Sequence, residues 1–374
     1  MLIFIVPAWH PTERRPTWAN WILPHIGMTK QLGKVVVLQV DQDANFNSKR
    51  EIIENKEHYY LASPLNKTKY TRTRLGYSKV LKSYVKDLDV LFQQAVKKYG
   101  KPDLIHAHVS MPAGYGSSVI GQQYNIPVIV TEHYSGFFSD IRFPWRIKKY
   151  YQEMRNQIDG FFVVSPGFKK NIEAKSNIEV NGVLPNPINV DVFYPRTQKS
   201  ADPILRLITT GSISLIKGTD VLLNAVNKLP ADFNWQLTII GEQATDNKNW
   251  ELLKHPKIKI LPRQSQIKLA EYYSNSDVFI VSSRIETANV SMLEAMACGC
   301  YVITSKIGAP ESLLDQSVAS FFTNEDVNEL AEKIIATPNV QRSAQRDYVV
   351  DNYSKNEISI RLKKVYKNII VNKS

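Results

Sequence analysis

Short apolar runs rich in valine and isoleucine alternate along the chain with stretches whose apolar positions recur every three or four residues. That alternation predicts strands and helices in turn, and hence parallel α/β layers. In the first half, Met1–Val6, Lys34–Val40, Asp103–Ala107, Val128–Thr131 and Gly160–Ser165 read as strands. Between them Ser78–Tyr99 is the clearest helix. Leu81, Val85, Leu88, Phe92 and Ala95 share one of its faces, while Lys79, Lys82 and Lys86 fall on the other. The second half repeats the theme, with strands at Leu205–Thr210, Gln236–Ile240, Ile258–Leu261, Asp277–Ser282 and Tyr301–Thr304. Its helices begin near Gly218, Ser265, Asn289 and Asp326. The proline-rich stretch Val183–Pro195 and the polar run to Asp202 read as a connection. The pattern divides the chain into a first domain over 1–186, a linker over 187–202 and a second domain over 203–357. A last amphipathic helix over 358–374 is expected to pack back on the first domain.

Length agrees with two domains, since 374 residues is about twice the size of a common one. A hydrophobic fraction of 43% is ordinary for a chain that buries real cores. No apolar run approaches the ~20 residues that span a bilayer. The opening Met1–Val6 is too short for an export signal and has no basic region before it, so the cytoplasm is the expected compartment. Cys298 and Cys300 are separated by one residue, which suits neither a disulfide nor a zinc site, and they read as two buried thiols. Charge changes the picture more. Of the net +12, the residues up to Val190 carry 25 Lys and Arg against 15 Asp and Glu, while those from Asp191 carry 22 against 20. A first half this basic points to an anionic partner: nucleic acid, a phospholipid surface or a phosphorylated acceptor.

The stretch Phe279–Gly299 carries the sharpest candidate chemistry. A buried strand is expected to end near Ser283, a loop to carry Glu286, and a helix to begin near Asn289 with Val290, Leu293 and Ala297 as its buried stripe and Gly299 just past its end. Free amides at such a helix start favour a phosphate. Glu286 can accept hydrogen bonds from hexose hydroxyls, and Glu294, eight residues on, can accept a pair from a ribose diol. Taken alone, these residues fit a solvated strand–loop–helix equally well.

The Glu-x7-Glu spacing followed by Ala295-Met-Ala-Cys-Gly299 resembles the donor-site signature of the retaining, GT-B-fold glycosyltransferases of family 4. So do Tyr301–Glu311, Thr210–Gly218, Ile240-Gly-Glu242, Val183-Leu-Pro-Asn-Pro187, Asp103–His108 and Val130-Thr-Glu-His133, in the family's order and over most of the chain. The resemblance implies two Rossmann-like α/β/α domains facing across a cleft, with the acceptor side in the first and a nucleotide sugar in the second. It implies that Lys217 neutralises the diphosphate leaving group and that Glu286 and His133 act on the transferred sugar. Gly211, Ser212, Gly241, Arg263, Asn289, Val290 and Glu294 are then the donor-binding positions. Ser212 stands where the family has an arginine, and Arg263 is the nearby cation that can stand in for it. The family's Glu-Gly-Phe-Gly loop is here Glu286-Thr-Ala-Asn289, and its glycine-rich loop after the first strand is replaced by Trp9–Asn20. His106 reads as structural and His108 as a cleft residue.

Asp87-Leu-Asp89 and Asp41-Gln-Asp43 look like metal-binding pairs, but the first lies on the strongly periodic helix, where its carboxylates diverge. The family resemblance implies a metal-independent catalyst, so no metal and no cofactor beyond the nucleotide sugar is expected. No nucleic-acid motif accompanies the basic residues. Lys67, Lys69, Arg72, Arg74, Lys79, Lys82 and Lys86, with the aromatic and cationic Phe137–Tyr151, read instead as a peripheral dock on an anionic membrane. His108, Trp145, Arg146, Lys148 and Lys149 are the expected acceptor or membrane-side contacts. The expectation is therefore a hexosyltransferase at the inner face of the cell membrane. It would move a hexose from a UDP-sugar, in preference to a GDP-sugar, to a lipid-linked or glycan acceptor in cell-surface polysaccharide synthesis. Two other readings stay open: a GT-B nucleotide-sugar epimerase or hydrolase, and a non-catalytic basic module binding membrane or nucleic acid.

Overall fold

Strand β1 (Leu2–Pro7) runs through the middle of an eight-stranded sheet, its apolar residues buried on both faces as is usual for a strand between parallel neighbours. Around it follow α1 (Ile22–Thr29), β2 (Lys34–Asp41), β3 (Glu51–Asn55), β4 (His58–Ala62), α2 (Arg74–Tyr99), β5 (Leu104–His108) and α3 (Tyr115–Tyr124). Then come β6 (Val128–Glu132), α4 (Trp145–Gln157), β7 (Gly160–Val163), α5 (Pro166–Ser176) and β8 (Gly182–Val183). This computed structural model describes residues 1–11, 19, 21–41, 51–55, 58–62, 74–134, 145–176, 178–196, 203–242, 251–338 and 341–373. The strand order is β3-β4-β2-β1-β5-β6-β7-β8, parallel throughout except for β3 at the edge.

A second, six-stranded parallel sheet is built from β9 (Leu205–Thr210), α6 (Thr219–Val226), β10 (Trp235–Ile240), β11 (Ile258–Leu261), α7 (Gln266–Ser274), β12 (Val278–Val281), α8 (Val290–Ala297), β13 (Tyr301–Lys306) and β14 (Ala319–Thr323). Helices α9 (Val327–Ile335), α10 (Arg342–Tyr353) and α11 (Lys355–Lys373) complete the chain. The order β11-β10-β9-β12-β13-β14 is that of a doubly wound nucleotide-binding sheet, reversing direction between β9 and β12. Its core joins Leu207, Trp235, Leu237 and Ile239 of the sheet to Val221, Leu222, Ala225 and Val226 of α6 and Leu330 and Ile334 of α9.

The chain forms two compact units. One comprises Met1–Val164, Lys169–Pro185 and Ile358–Ser374, and the other Ser165–Phe168 and Asn186–Glu357. Most of α11 belongs to the first, where Ile358, Leu362 and Tyr366 join Ile3, Ile5, Val37 and Leu104 in one core. The stretch read as a linker is ordered against the second unit as far as it is described. Ile188 N–H donates to Tyr353 O at 2.8 Å, and Arg346 donates to Phe193 O at 2.9 Å and Val190 O at 3.2 Å.

Several local readings need correction. α2 begins at Arg74, a turn before Ser78, because Gly76 is buried and Tyr77 half-buried despite glycine's poor helix propensity. The hairpin β3–β4 and strands β8 and β14 carry no periodicity long enough to have been read. On α8 the buried residues are Met292, Leu293, Ala295, Met296 and Ala297, so Leu293 and Ala297 are buried as expected while Val290 is only half-buried. The N-terminal boundaries at Gly218, Ser265, Asn289 and Asp326 coincide with the caps of α6 to α9.

Candidate functional site

Where strand order reverses, the loops leaving two neighbouring strands turn to opposite faces of the sheet and leave a crevice at its carboxyl edge. In the second unit that place lies between β9 and β12, which pair at Val278 with Leu207. The loop after β9 carries Lys217 and the loop after β12 carries Glu286. Their side chains meet, with Lys217 Nζ 2.6 Å from Glu286 Oε1. Ser283 Oγ donates to the same oxygen at 2.9 Å and Asn289 Nδ2 at 3.1 Å. Three donors fix this carboxylate, whose side chain is 10% exposed, whereas Lys217 is 34% exposed and open to a further anion.

The backbone explains the meeting. Gly218 caps α6 at φ +62°, and a Cβ there would lie 1.8 Å from Ser282 O. Only glycine allows this approach, and Ser282 Oγ locks it by donating to Gly218 O at 2.8 Å and Lys217 O at 3.1 Å. Beside it, a Cβ on Gly241 would fall 1.7 Å from Gly211 O, so β9 and β10 end in closely apposed glycine loops. The stem of Lys217 passes 3.5 Å from where Gly211 would carry a Cβ. Asn289, left-handed at φ +57°, accepts from Met292 N–H at 3.0 Å and so caps α8. Arg284, which sequence reading missed, pins the loop from below: it grips Asp220 at 2.8 and 2.9 Å, reaches Glu325 at 2.6 Å and donates to Leu215 O. A lone arginine just after a buried strand was the available signal.

The remaining donor positions are less tightly gathered. Ser212 is exposed, its hydroxyl 3.0 Å from that of Ser214, and it supplies no cation. Arg263 follows the edge strand β11, two strands from β9, and is exposed. Glu294 is half-buried on α8, and desolvation pushes its carboxyl from 4.5 up to about 8. Cys298 and Cys300 are buried free thiols.

The first unit reverses its strand order between β1 and β5. His108 ends β5 and His133 follows β6, the neighbouring strand. Buried Glu132 organises this edge: one oxygen accepts from His133 N–H at 2.8 Å and Tyr134 N–H at 2.7 Å, the other from Ser110 N–H at 2.9 Å. His108 Nδ1 lies 3.0 Å from His133 Nε2. Trp21 stacks on His133 with ring centroids 4.1 Å apart, and His25, a turn along α1, stands edge-on at 5.0 Å. Neither was anticipated, although Trp21 and His25 at helical spacing before an apolar strand are a visible pattern. His106 is structural, as read: its Nδ1 lies 2.7 Å from Tyr366 Oη and its Nε2 2.8 Å from Thr131 Oγ1.

On α2, Lys79, Lys82 and Lys86 are exposed opposite buried Leu81, Leu88 and Phe92. Asp87 and Asp89 of that helix point apart: Asp87 is buried, while Asp89 accepts from Tyr124 and Gln93 at 2.8 Å each. Asp41 accepts from Tyr60 at 3.2 Å, whereas Asp43 lies outside the described residues. Lys148 and Lys149 are exposed on α4, Lys149 pairing with Glu153 at 3.4 Å. Lys67, Lys69, Arg72 and 135–144 lie outside the described residues, as do the side chains of Trp145 and Arg146. Among the described residues no helix is long and apolar enough to cross a membrane.

Residues 205–337 match the family described as Glycosyl transferases group 1, and residues 61–192 that described as Glycosyltransferase Family 4. An uncharacterized glycosyltransferase of Methanocaldococcus jannaschii is 25% identical over 238 residues, which make up 62% of this chain and 64% of that one. The chain thus spans just under two thirds of that relative's length. Among solved structures, sucrose-phosphate synthase from Thermosynechococcus elongatus aligns over 99% of both chains with a TM-score of 0.76 at 20% identity. HepE of Anabaena, in complex with UDP, aligns over 98% of this chain and 100% of its own with a TM-score of 0.69 at 13% identity. At those identities the two structures establish likeness of fold.

Proposed function

The chain belongs to the group 1 glycosyltransferases, enzymes of the GT-B fold, and from that premise we propose that it moves a hexose-type sugar from a nucleoside diphosphate donor, UDP in preference to GDP, to a lipid-linked or glycan acceptor with retention of configuration. The observation that carries this reading is the Lys217–Glu286 pair at the reversal of strand order. A cation held there offsets the charge that develops on a departing diphosphate, which is the largest electrostatic demand of the reaction. The amides opening α6 and α8 add donors for phosphate oxygens. Glu286 receives hexose hydroxyls and Glu294 the ribose diol. In this mechanism a phosphate oxygen takes the proton of the acceptor hydroxyl as the new bond forms on the face the diphosphate leaves. Lys217 supplies the positive charge, and no metal is required. UDP is favoured in part because a fold neighbour is solved with it. The setting we assign is polysaccharide synthesis at the inner face of the membrane, with the lysine face of α2 against anionic lipid.

The test is a thermal-shift screen with UDP, GDP, ADP and their glucose conjugates. UDP ligands at about a hundred times their Kd should stabilise the protein by about 2.7 kcal/mol. A response to GDP alone would reassign the base, and a response to none of them would sink the donor site. NMR of the product then reads the anomeric configuration.

A further inference from the structure

Lys217 sits in a turn over 215–218 whose tip is not anchored by burial. Leu215 packs on the core at one end, but Ile216 beside the lysine is 55% exposed. Yet all four carbonyls of the turn accept hydrogen bonds from residues that follow β12. Arg284 Nη1 donates to Leu215 O and Arg284 N–H to Ile216 O at 2.8 Å, while the Ser282 hydroxyl is shared between Lys217 O at 3.1 Å and Gly218 O at 2.8 Å. The Arg284 guanidinium also reaches past the turn. Its two Nη atoms hold the carboxylate of Asp220, in the first turn of α6, at 2.8 and 2.9 Å, and its Nε reaches Glu325 at 2.6 Å. A planar fork of N–H donors can serve a carboxylate pair, a carbonyl and a second carboxylate at once, which a lysine ammonium cannot. Among the described residues Arg284 bonds to neither Lys217 Nζ nor the Glu286 carboxylate. Its effect on that pair therefore runs through the turn.

We propose that Arg284 is the positioning residue of Lys217: by holding Leu215 O, Ile216 O and Asp220 on either side of the lysine, it keeps the ammonium in contact with Glu286. Lysine is a point charge on a flexible stem, so the place of its ammonium is set by the backbone that carries it and by the carboxylate it meets. Removing the guanidinium releases the first of these. The consequence for transfer rests on the function proposed above. A misplaced ammonium offsets less of the charge on the departing diphosphate, so the rate falls. Nucleotide binding falls less, because the amides opening α8 remain as donors.

Crystal structures of the full-length protein and of its Arg284→Gln variant test the positioning itself. In the variant the contact of Lys217 Nζ with Glu286 Oε1, 2.6 Å in the parent, should open beyond hydrogen-bond reach. A contact kept within that reach overturns the proposal, whatever reaction the protein performs. With UDP-glucose as probe and UDP release as assay, Arg284→Gln should lower kcat by about 10- to 100-fold with KM little changed. Because Arg284 acts through Lys217, the same substitution made in Lys217→Ala should cost about 2-fold or less. Losses that multiply in the double variant also overturn the assignment. Arg284→Lys keeps the charge and loses the fork, so it should behave as Arg284→Gln does, and it serves for both measurements should the glutamine variant not fold. A parental kcat in Arg284→Lys counts against the role given to the fork. A parent protein that releases no UDP from UDP-glucose would remove the function proposed above and leave the crystallographic result standing, so the two failures are distinct.

Discussion

Burial pushes the Glu294 carboxyl from 4.5 up to about 8, so at neutral pH it is mostly protonated. A ribose diol donates to a carboxylate better than to a carboxylic acid. Nucleotide binding is therefore expected to release a proton near pH 7 and to tighten as pH rises toward 9, which calorimetry in buffers of different ionisation enthalpy measures. Stability runs the other way. Between 4.5 and about 8 the folded protein holds a proton that the unfolded chain has lost, so this group's contribution is full below 4.5 and disappears as pH rises through about 8. Glu294→Gln should flatten both trends, and an unchanged pH dependence would show that another group is responsible. At Lys217 the expected effect is on rate. Its ammonium is 2.6 Å from Glu286 and open on its other side. Lys217→Ala should lower kcat by about 10²- to 10³-fold with nucleotide affinity less affected, and an undiminished kcat would exclude it from the reaction. Both residues were legible in the sequence through their motifs. Arg284, Trp21 and His25 were not, because their roles come from partners distant in the chain.

At the scale of elements, the start of α6 and the end of β12 approach to backbone contact, with Ser282 Oγ bonding the carbonyls of Lys217 and Gly218. The Cβ of an alanine at 218 would sit 1.8 Å from Ser282 O, at a φ of +62° that alanine disfavours. Gly218→Ala is expected to cost about 3 kcal/mol and to move Lys217 away from Glu286. Urea unfolding checks the first and nucleotide affinity the second; a variant as stable as the parent would mean that the loop has room to adjust. Helix starts were readable because Ser265, Asn289 and Asp326 cap with their own side chains, a local interaction that leaves a mark in the sequence. Strands β3, β4, β8 and β14 left no such mark. They are short, and their neighbours in the sheet, more than their own period, make them strands.

For the molecule as a whole the uneven charge matters most. The exposed Lys79, Lys82 and Lys86 recur along one side of α2, in the half that carries the cationic excess. A lysine near an anionic bilayer contributes about 1 kcal/mol, so replacing the three by glutamine should weaken binding to phosphatidylserine vesicles roughly 100-fold. Sedimentation with phosphatidylserine and with neutral phosphatidylcholine vesicles measures this. Equal binding to both, or none to either, would discard the membrane contact.

The sequence by itself determined the two α/β patterns, the glycine at each tight loop and the family signature from Glu286 to Glu311. These are local properties, since periodicity, caps and backbone conformation are set by residues near one another in the chain. Only the tertiary structure decided which loops meet. Lys217 and Glu286 are 69 residues apart and touch because β9 and β12 are neighbours where the strand order reverses. His108 Nδ1 and His133 Nε2 come within 3.0 Å because β5 and β6 are neighbours, and α11 joins the first unit because Tyr366 reaches His106. Strand order follows from how whole faces are buried against one another, a choice that no window of sequence contains.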